Sequence, residues 1–482
     1  MTEHVRQRKF FLPERVPHAW SVRFPQDGIS PQGERCDLAF GMVANVALGD
    51  AVVRNDFDRI SIFQRPIFNA TWDAQKRRWV DFVARGEEGF TLSPTEENRE
   101  VVYRCKPFWY RLDMTGAQGP SYVSVSDKPL NGYTLAPMFK NGTAYEYRPC
   151  FEMAMGDDSK PHSRAGLVPF EGRFAEIMPT ARLYDSAAHT EKMADWFSDY
   201  LLLLVEFATR SLQSVMCGVM KRQLNVTWHK TASEMLAAGF YTDEPATVGA
   251  GARVRIGYRT DTSGEGNYFC RILGVGEQNE WGYPILLDLD DLEGFFANKV
   301  SCSLSYATHL TGEALSHVTN ASSGTWGELE ASPFVWRGKE NAWGNVASTV
   351  CDVLFNNDYP TGMSVCHLED LSQYDGTLNE YYTEYDYGKV YMEGTRVIGY
   401  VISFAAYGKP YLLVPSLLQY DYPEYYWATY TRHVPFTRRG VGYLRVGGDV
   451  TGSNGVNHGT YEIIANTTTL GFGGRLILEE GI

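Results

Sequence analysis

The chain has 482 residues, of which 44% are apolar and 21% charged, and its formal net charge is −14. At roughly 150 residues per domain, this length predicts about three globular domains, and the composition argues against disorder. The acidic balance, with no Lys/Arg run longer than 75-QKRR-78, argues against a nucleic-acid partner, because such a partner requires a basic face. The 46 glycines, spread along the chain, predict many turns and a β-rich fold.

The sequence shows no signal for secretion or for membrane insertion. The first twenty residues lack an apolar run of signal-peptide length, and the longest apolar run, 201-LLLLV-205, is far too short to span a bilayer. We therefore expect synthesis in the cytoplasm. The eight cysteines are scattered without CxxC or zinc-ligand spacing, which predicts reduced thiols, with a Cys351–Cys366 disulfide as the alternative.

Three segments follow one another along the first 304 residues. Residues 1–175 alternate short apolar runs with turn clusters, for example in 121-SYVSVS-126, which predicts an antiparallel β domain. Residues 176–222 contain apolar residues at helical spacing, which predicts a core helix over 189–220 with Thr190 as N-cap and Gly218 as C-cap. Residues 223–304 return to strand alternation, as in 252-ARVRIGYRT-260, and predict a small inserted barrel or sandwich.

Two clusters of metal-ligand residue types do not predict a metal site. The acidic run 288-DLDDLEG-294 lacks the third carboxylate that an EF-hand loop requires, so it is interpreted as a solvated turn. The run 366-CHLED-370 only places ligand types close together in sequence. We predict no metal site, no cofactor and no catalytic residue.

Residues 305–482 are aromatic and rich in glycine. Fourteen of the thirty tyrosines lie between Tyr374 and Tyr430, far more than even spacing would place there. Tyrosine buries a large area at low entropic cost and keeps a polar tip, which suits binding surfaces. We therefore favour a binding surface here, with a tyrosine-lined β core as the alternative.

One segment of this region, 336-WRGKENAWGN-345, is too polar for a core strand and too aromatic for an ordinary loop. It resembles the RG-x-EN-x-x-GN signature of C-type-lectin-fold domains in bacteriophage virion proteins. The resemblance implies a scaffold role, in which the Trp and Arg side chains pack under a sheet and the Glu and Asn side chains bond to surrounding backbone. The residues that take this role are Trp336, Arg337, Glu340, Asn341, Trp343 and Asn345.

The end of the chain, 443-YLRVGGDVTGSNGVNHGTYEIIANTTTLGFGGRLIL-478, resembles the closing segment of phage receptor-binding proteins of the major-tropism-determinant kind. It departs from that pattern by ending Gly-Phe-Gly-Gly-Arg instead of Gly-Phe-Arg. In some such proteins a retroelement diversifies this region. The calcium-binding EPN and WND triplets of animal lectins are missing from this sequence, so calcium-dependent sugar binding is not implied. No cysteine follows Cys366, which disfavours the formylglycine-generating oxygenases that share the fold.

The resemblance implies a β-rich α+β, multidomain virion protein. Residues 1–175 would serve attachment and oligomerisation, 176–222 would hold the helix and the start of a C-type-lectin-like domain, 223–304 would be inserted, and 305–482 would bind a host-surface receptor, either protein or glycan. Other virion proteins are expected partners, and a homo-oligomer is the expected state. The alternatives are a non-receptor structural protein of tail, collar or capsid, and a polysaccharide-degrading tailspike that uses paired carboxylates.

Strand alternation sends every second residue outward. On that basis we expect one binding surface, with two tyrosines at its rim. The residues expected on the surface are Tyr430, Arg432, Arg445, Asp449, Asn454, Asn457, His458 and Tyr461, and those at the rim are Tyr425 and Tyr426.

Overall fold

The computed structural model is strongly β-rich with few helices, which confirms the prediction of a β-rich fold. It describes residues 16–26, 30–114, 120–216, 218, 226–228, 239–243, 245, 251–260, 265–289, 299–318, 323–325, 332–357, 362–388, 397–419, 430–433, 440–447, 461–464 and 472–480.

The described part of the chain before residue 170 is built from short strands. They are β1 (Ala19–Arg23), β2 (Glu34–Asp37), β3 (Ala47–Leu48), β4 (Ile67–Asp73), β5 (Arg78–Ala84), β6 (Arg99–Cys105), β7 (Trp109–Asp113), β8 (Tyr122–Ser126), β9 (Thr134–Leu135), β10 (Glu146–Pro149), β11 (Ala154–Met155) and β12 (Pro161–His162). A 3-10 turn, Asp56–Arg59, lies between β3 and β4.

Three α-helices are described: α1 (Phe174–Arg182), α2 (Met193–Phe207) and α3 (Glu313–His317). The helix predicted over 189–220 is therefore too long at both ends. It begins after Lys192, whose backbone N–H donates to the Asp195 carboxylate at 3.0 Å, and not after Thr190, whose hydroxyl donates to the Thr349 carbonyl. It ends at Ala208, which is left-handed with φ 52°, and a 3-10 turn, Leu212–Ser214, follows.

A sheet of its own occupies the range in which a small inserted β domain was expected. Its strands are β13 (Thr227–Trp228), β14 (Phe240–Thr242), β15 (Arg253–Thr260), β16 (Glu265–Val275), β17 (Tyr283–Leu287) and β18 (Lys299–Tyr306). They pair in the order β13-β14-β17-β16-β15-β18 and are antiparallel throughout. One hydrophobic cluster, with Phe240, Ile256 and Ile285 at its centre, belongs to this sheet alone.

The remaining strands follow residue 322. They are β19 (Ser323–Thr325), β20 (Phe334–Trp336), β21 (Lys339–Glu340), β22 (Ala347–Asn357), β23 (Met363–His367), β24 (Thr383–Gly388), β25 (Val397–Ala406), β26 (Leu413–Gln419), β27 (Tyr430–His433), β28 (Gly440–Val446), β29 (Tyr461–Ile464) and β30 (Phe472–Gly473). A 3-10 turn, Leu371–Gln373, lies between β23 and β24.

Sheet pairing joins the two ends of the chain. The early strands form two antiparallel sheets, β2-β1-β8-β7-β9 and β10-β6-β4-β5, while β11 pairs with β12. The late strands form the order β24-β23-β22-β28-β29-β27-β25-β26, with β30 pairing with β22. A further sheet, β21-β20-β19-β3, contains strands from both the early and the late part of the chain, because β3 pairs in parallel with β19.

The main hydrophobic core is likewise shared between the early and late parts of the chain. One cluster contains Val22 and Val125 from the early sheets, Leu203 from α2, and Trp336 and Leu444 from the late strands. A second cluster joins early residues such as Trp72 to late ones such as Phe472. The boundary predicted at residue 175 therefore does not separate two hydrophobic cores.

The described cysteines are all free, including Cys351 and Cys366, and most of them are buried. Cys217 lies outside the described residues. Among the helices that the structure describes, none is both long enough and apolar enough to cross a bilayer.

Candidate functional site

The backbone of 336–345 turns repeatedly through the left-handed region. Arg337, Asn341 and Asn345 have φ values of 47°, 45° and 55°, and Gly338 and Gly344 have 83° and 74°. Glycine adopts this region without cost and asparagine adopts it more readily than most residues, so four of these five residue types suit their backbone. Arg337 does not, and a bulky residue held there costs of order 1–3 kcal/mol unless its surroundings fix it.

The contacts of Arg337 supply that fixation. Its guanidinium donates to both carboxylate oxygens of Glu206 on α2, at 2.8 and 2.7 Å, and to the Phe63 carbonyl at 2.8 Å. The indole N–H of Trp336 donates to the same carboxylate at 3.0 Å, and so does the Asn55 side chain at 2.9 Å. Burial alone would raise the pKa of Glu206, but the charge of Arg337 and these hydrogen bonds hold it below its ordinary value.

Lys339 makes the second connection to α2, and sequence reasoning missed it. It is buried, and its ammonium donates to Glu191 and, at 3.0 Å, to Asp199. Asp199 also accepts from Arg65 at 2.6 Å, and one turn earlier Asp195 accepts from Arg148 at 2.9 Å.

The signal for these ion pairs was present in the helix sequence. Asp195, Asp199 and Glu206 are spaced by four and seven residues, which places three acids on one side of an otherwise apolar helix. Such carboxylates are almost never buried unless a cation or hydrogen-bond donor pairs with them.

Glu340 and the two asparagines bond to backbone, as the resemblance implied. Glu340 accepts from the amides of Gly312 and Leu315 at 2.6 and 2.8 Å and so caps the start of α3. Asn341 accepts from the Phe334 amide at 3.3 Å, and Asn345 accepts from the His309 amide at 2.7 Å. Burial raises the pKa of Glu340 to about 8.

A second buried carboxyl stands beside Asn345. Glu152 accepts from the Asn345 side chain and, at 3.1 Å, from the Val346 amide. Burial raises its pKa to about 7, although the charge of Arg475 opposes that shift. The segment 336–345 therefore bonds both to α2 and to the early part of the chain.

The same segment holds the end of β28. The Gly344 amide donates to the Gly447 carbonyl at 3.0 Å, and the Trp343 indole donates to the Met216 carbonyl at 3.0 Å. A Cβ on Gly447, whose φ is 85°, would lie 3.3 Å from the Trp343 backbone. Trp336 and Trp343 are 0% and 2% exposed, in agreement with the burial expected from the sequence, so the segment is part of the framework and offers no binding surface.

Two connections, one rich in tyrosine (420–429) and one containing asparagines (447–460), meet the late sheet at the same end. β28 and β29 are antiparallel with Val446 opposite Tyr461, so residues 447–460 join these strands at that end. β27 is parallel to β29 with Thr431 opposite Tyr461, so residues 420–429 lead into the sheet at the same end. Both connections contain residues expected to bind: Tyr425, Tyr426, Asp449, Asn454, Asn457 and His458, which all lie outside the described residues.

The register does not place the described binding candidates on one face. Position 445 in β28 is paired with 462 in β29, which is paired with 432 in β27. Positions 445, 462 and 432 therefore lie in one row across the three strands. Position 461 lies in the adjacent row, and adjacent rows occupy opposite faces. The expectation that Tyr461 shares a face with Tyr430, Arg432 and Arg445 is therefore wrong.

Arg445 is buried, contrary to the expectation that it lies on the binding surface. It is 5% exposed, and its guanidinium carbon lies 5.7 Å from the centre of the Phe472 ring. Both neighbours, Leu444 and Val446, are buried as well, because β28 is a central strand covered on both faces. Alternation could not reveal this, since it assumes that one face is open.

The residues of 366-CHLED-370 make separate structural contacts. His367 lies 3.4 Å from the Asp352 carboxylate, Glu369 pairs with Lys409, and Asp370 accepts from the Ser372 amide at 2.9 Å. Within the described ranges, no group of three His, Cys, Asp or Glu side chains is arranged to hold a metal ion.

One histidine outside the predicted site lies between two carboxylates. His162 Nδ1 is 2.8 Å from Glu100, and Nε2 is 3.0 Å from Asp158. Burial alone would lower the pKa of His162, but the bonds to both carboxylates raise it. The neighbouring Ser163 donates its hydroxyl to the Val101 carbonyl at 2.9 Å, so this group fastens a hairpin and does not form a nucleophile–base pair.

Comparison with known proteins adds no assignment to this geometry. No protein-family model matches the chain. A search of curated proteins finds no match either.

Proposed function

We propose that this chain is a bacteriophage virion protein of the tail-fibre or tail-tip type, and that it binds a host-surface receptor through a C-type-lectin-like C-terminal region. The observation that carries the proposal is the common end of the late sheet at which the connections 420–429 and 447–460 begin and finish. Loops that bind partners are typically positioned in this way by a rigid scaffold.

The rigid part of that arrangement is the segment 336–345. Its polar side chains are turned inward onto α2 and onto backbone, and its Gly344 amide bonds to the end of β28. Residues in the connections can then vary without disturbing the core. This division of roles supports the resemblance to receptor-binding virion proteins.

The test is host adsorption with the full-length chain, because the shared core makes an isolated 305–482 fragment unsuitable. Asn457→Ala combined with His458→Ala should weaken binding of the purified chain to host cells and leave its melting temperature nearly unchanged. Glu369→Gln is the matched control, since its only described pairing is with exposed Lys409. Unchanged adsorption together with failed particle assembly would instead favour a non-receptor structural protein.

We further propose a homo-oligomer in the virion, since closed symmetry is the rule for such assemblies. Light scattering on the purified chain measures this directly. A monomer at micromolar concentration would contradict it.

A further inference from the structure

An open groove lies on the early part of the chain. Its volume is about 430 Å³, within the ~300–1,000 Å³ typical of small-molecule sites. Strand β5 forms one side with Trp79 and Phe82, residues 141–147 form the other, and Glu480 closes it near the end of the chain.

Aromatic rings dominate the accessible wall. Phe82 and Tyr145 are 39% and 40% exposed, although large aromatic side chains are usually covered. The rings of Phe82 and Tyr147 are 4.8 Å apart and tilted by 31°, so they pack against each other. Phe68 supports Phe82 from the edge at 5.8 Å.

The polar groups of the groove are acceptors and neutral donors. Glu480 accepts from the Trp79 amide through one carboxylate oxygen, at 2.9 Å, and both residues line the groove. Asn141 and Thr143 add an amide and a hydroxyl. Glu146 is engaged with Arg148 at 3.1 Å, so its charge is offset within the protein.

The charge of the lining is one-sided. None of the residues that line the groove is Lys, Arg or His, whereas two are glutamates. The Arg104 guanidinium lies 4.4 Å from the centre of the Tyr145 ring, on one face of that ring, but Arg104 is not part of the lining. An anionic ligand would therefore meet the Glu480 carboxylate without a cation in the lining. A flat, uncharged ligand with many hydroxyl groups suits both the aromatic rings and the polar groups of this groove. Its C–H face stacks on aromatic rings, and its hydroxyls donate to carboxylate and amide oxygens.

We propose that this groove is a binding site for a neutral oligosaccharide, with Phe82 and Tyr145 as the stacking rings and Glu480 as the hydroxyl acceptor. The site shares no residue with the connections at 420–429 and 447–460. It therefore stands or falls independently of the receptor role proposed for them.

The experiment is calorimetric titration of the full-length chain with maltohexaose, cellohexaose, chitohexaose and mannohexaose, and with hexagalacturonate as the anionic counterpart. At least one neutral hexasaccharide should bind, and hexagalacturonate should bind far more weakly. Phe82→Ala and Tyr145→Ala should each weaken that binding roughly tenfold, since loss of a well-packed aromatic contact costs on the order of 1.4 kcal/mol. Glu480→Gln should weaken it too.

Tyr381→Ala is the matched control, because Tyr381 is 55% exposed and lies outside the groove lining. It should leave the dissociation constant unchanged. Thermal melting of each variant verifies that the fold is intact. We expect little change in melting temperature, because Phe82, Tyr145 and Tyr381 are exposed. The proposal is overturned if none of the four neutral sugars binds, if hexagalacturonate binds equally well, or if Phe82→Ala leaves affinity unchanged. A change in oligomeric mass caused by Phe82→Ala would also overturn it and identify the groove as a protein interface.

Discussion

Trp336 joins hydrophobic and polar stabilisation at a single residue. Its ring is fully buried, the Arg65 guanidinium lies 4.4 Å from the ring centre, and its N–H donates to Glu206. Trp336→Ala should destabilise the protein by about 3–5 kcal/mol, because it leaves a cavity and removes a donor from a buried carboxylate. A urea-unfolding midpoint measures this, with Tyr381→Ala as an exposed control that should change it little; similar midpoints for both variants would contradict the assignment.

The side chains of Arg337 and Glu206 should be energetically coupled, because they form a buried ion pair. Arg337→Met leaves an uncompensated charge in the core and should cost about 3–5 kcal/mol. Glu206→Gln in the same chain removes that charge, so the double variant should lose less stability than the sum of the two single variants. Unfolding midpoints of the four proteins complete the cycle, and strictly additive losses would show that the pair is not coupled.

At the scale of residues, local backbone demands were easier to anticipate than ion pairing. Asn341, Asn345 and Gly338 are residue types that tolerate left-handed backbone, so a tight, turning segment was readable from the sequence. Lys339 reads as an ordinary surface lysine, and it is buried only because Glu191 and Asp199 approach it from distant parts of the chain. Such a partnership depends on tertiary packing, which a single sequence does not specify.

Among elements, α2 shows where periodicity stops being informative. Apolar spacing continues beyond Phe207, yet the helix ends because Ala208 adopts a left-handed backbone and its amide bonds to the Leu204 carbonyl. Arg210 and Leu212 are still buried in the core, although they lie beyond the end of the α-helix. Strand alternation failed similarly at β28, where burial on both faces removes the distinction that alternation relies on.

The cap of α3 and the neighbouring strand β22 carry a pH dependence. Glu340, which caps α3, and Glu152, which bonds to Asn345 and Val346, have folded-state pKa values of about 8 and about 7 against an ordinary 4.5, because both are buried. The folded state binds their protons more tightly than the unfolded state does. Their contribution to stability is therefore fully present below about pH 4.5 and is lost as the pH rises through about 7 and 8.

We expect the urea midpoint to be lower at about pH 8.5 than at about pH 5. His162, with its raised pKa, acts in the same direction, whereas the lowered pKa of Glu206 matters only in acid. Glu152→Gln should reduce stability at both pH values, since it loses an acceptor, but its midpoint should change less with pH. A variant whose midpoint follows pH as steeply as the parent would exclude this carboxyl as a source of the dependence.

For the molecule as a whole, the β-rich class was readable from composition and alternation, but the joining of the early and late parts of the chain was not. β3 pairs with β19, and Arg475 donates to the Cys150 carbonyl at 2.9 Å; both contacts link residues more than 250 positions apart. No local pattern encodes such pairings. Sequence reasoning therefore placed a domain boundary at 175, where the folded chain has a continuous core.

The sheet β13–β18 should be removable, in contrast to either end of the chain. Its core is its own, and its described contacts with the rest include Arg271 with Glu313 and Arg253 with the Thr308 carbonyl. Replacing residues 227–305 by a short Gly-Ser linker should leave a cooperative thermal transition near that of the parent, because the excised sheet has its own hydrophobic core and leaves the main core complete. Residues 305–482 expressed alone should show no such transition, since they lose the early strands and α2 that complete their core. An aggregated excision variant would contradict the independence of this sheet. A sharp transition in the isolated fragment would mean that residues 305–482 fold as the separate domain predicted from the sequence.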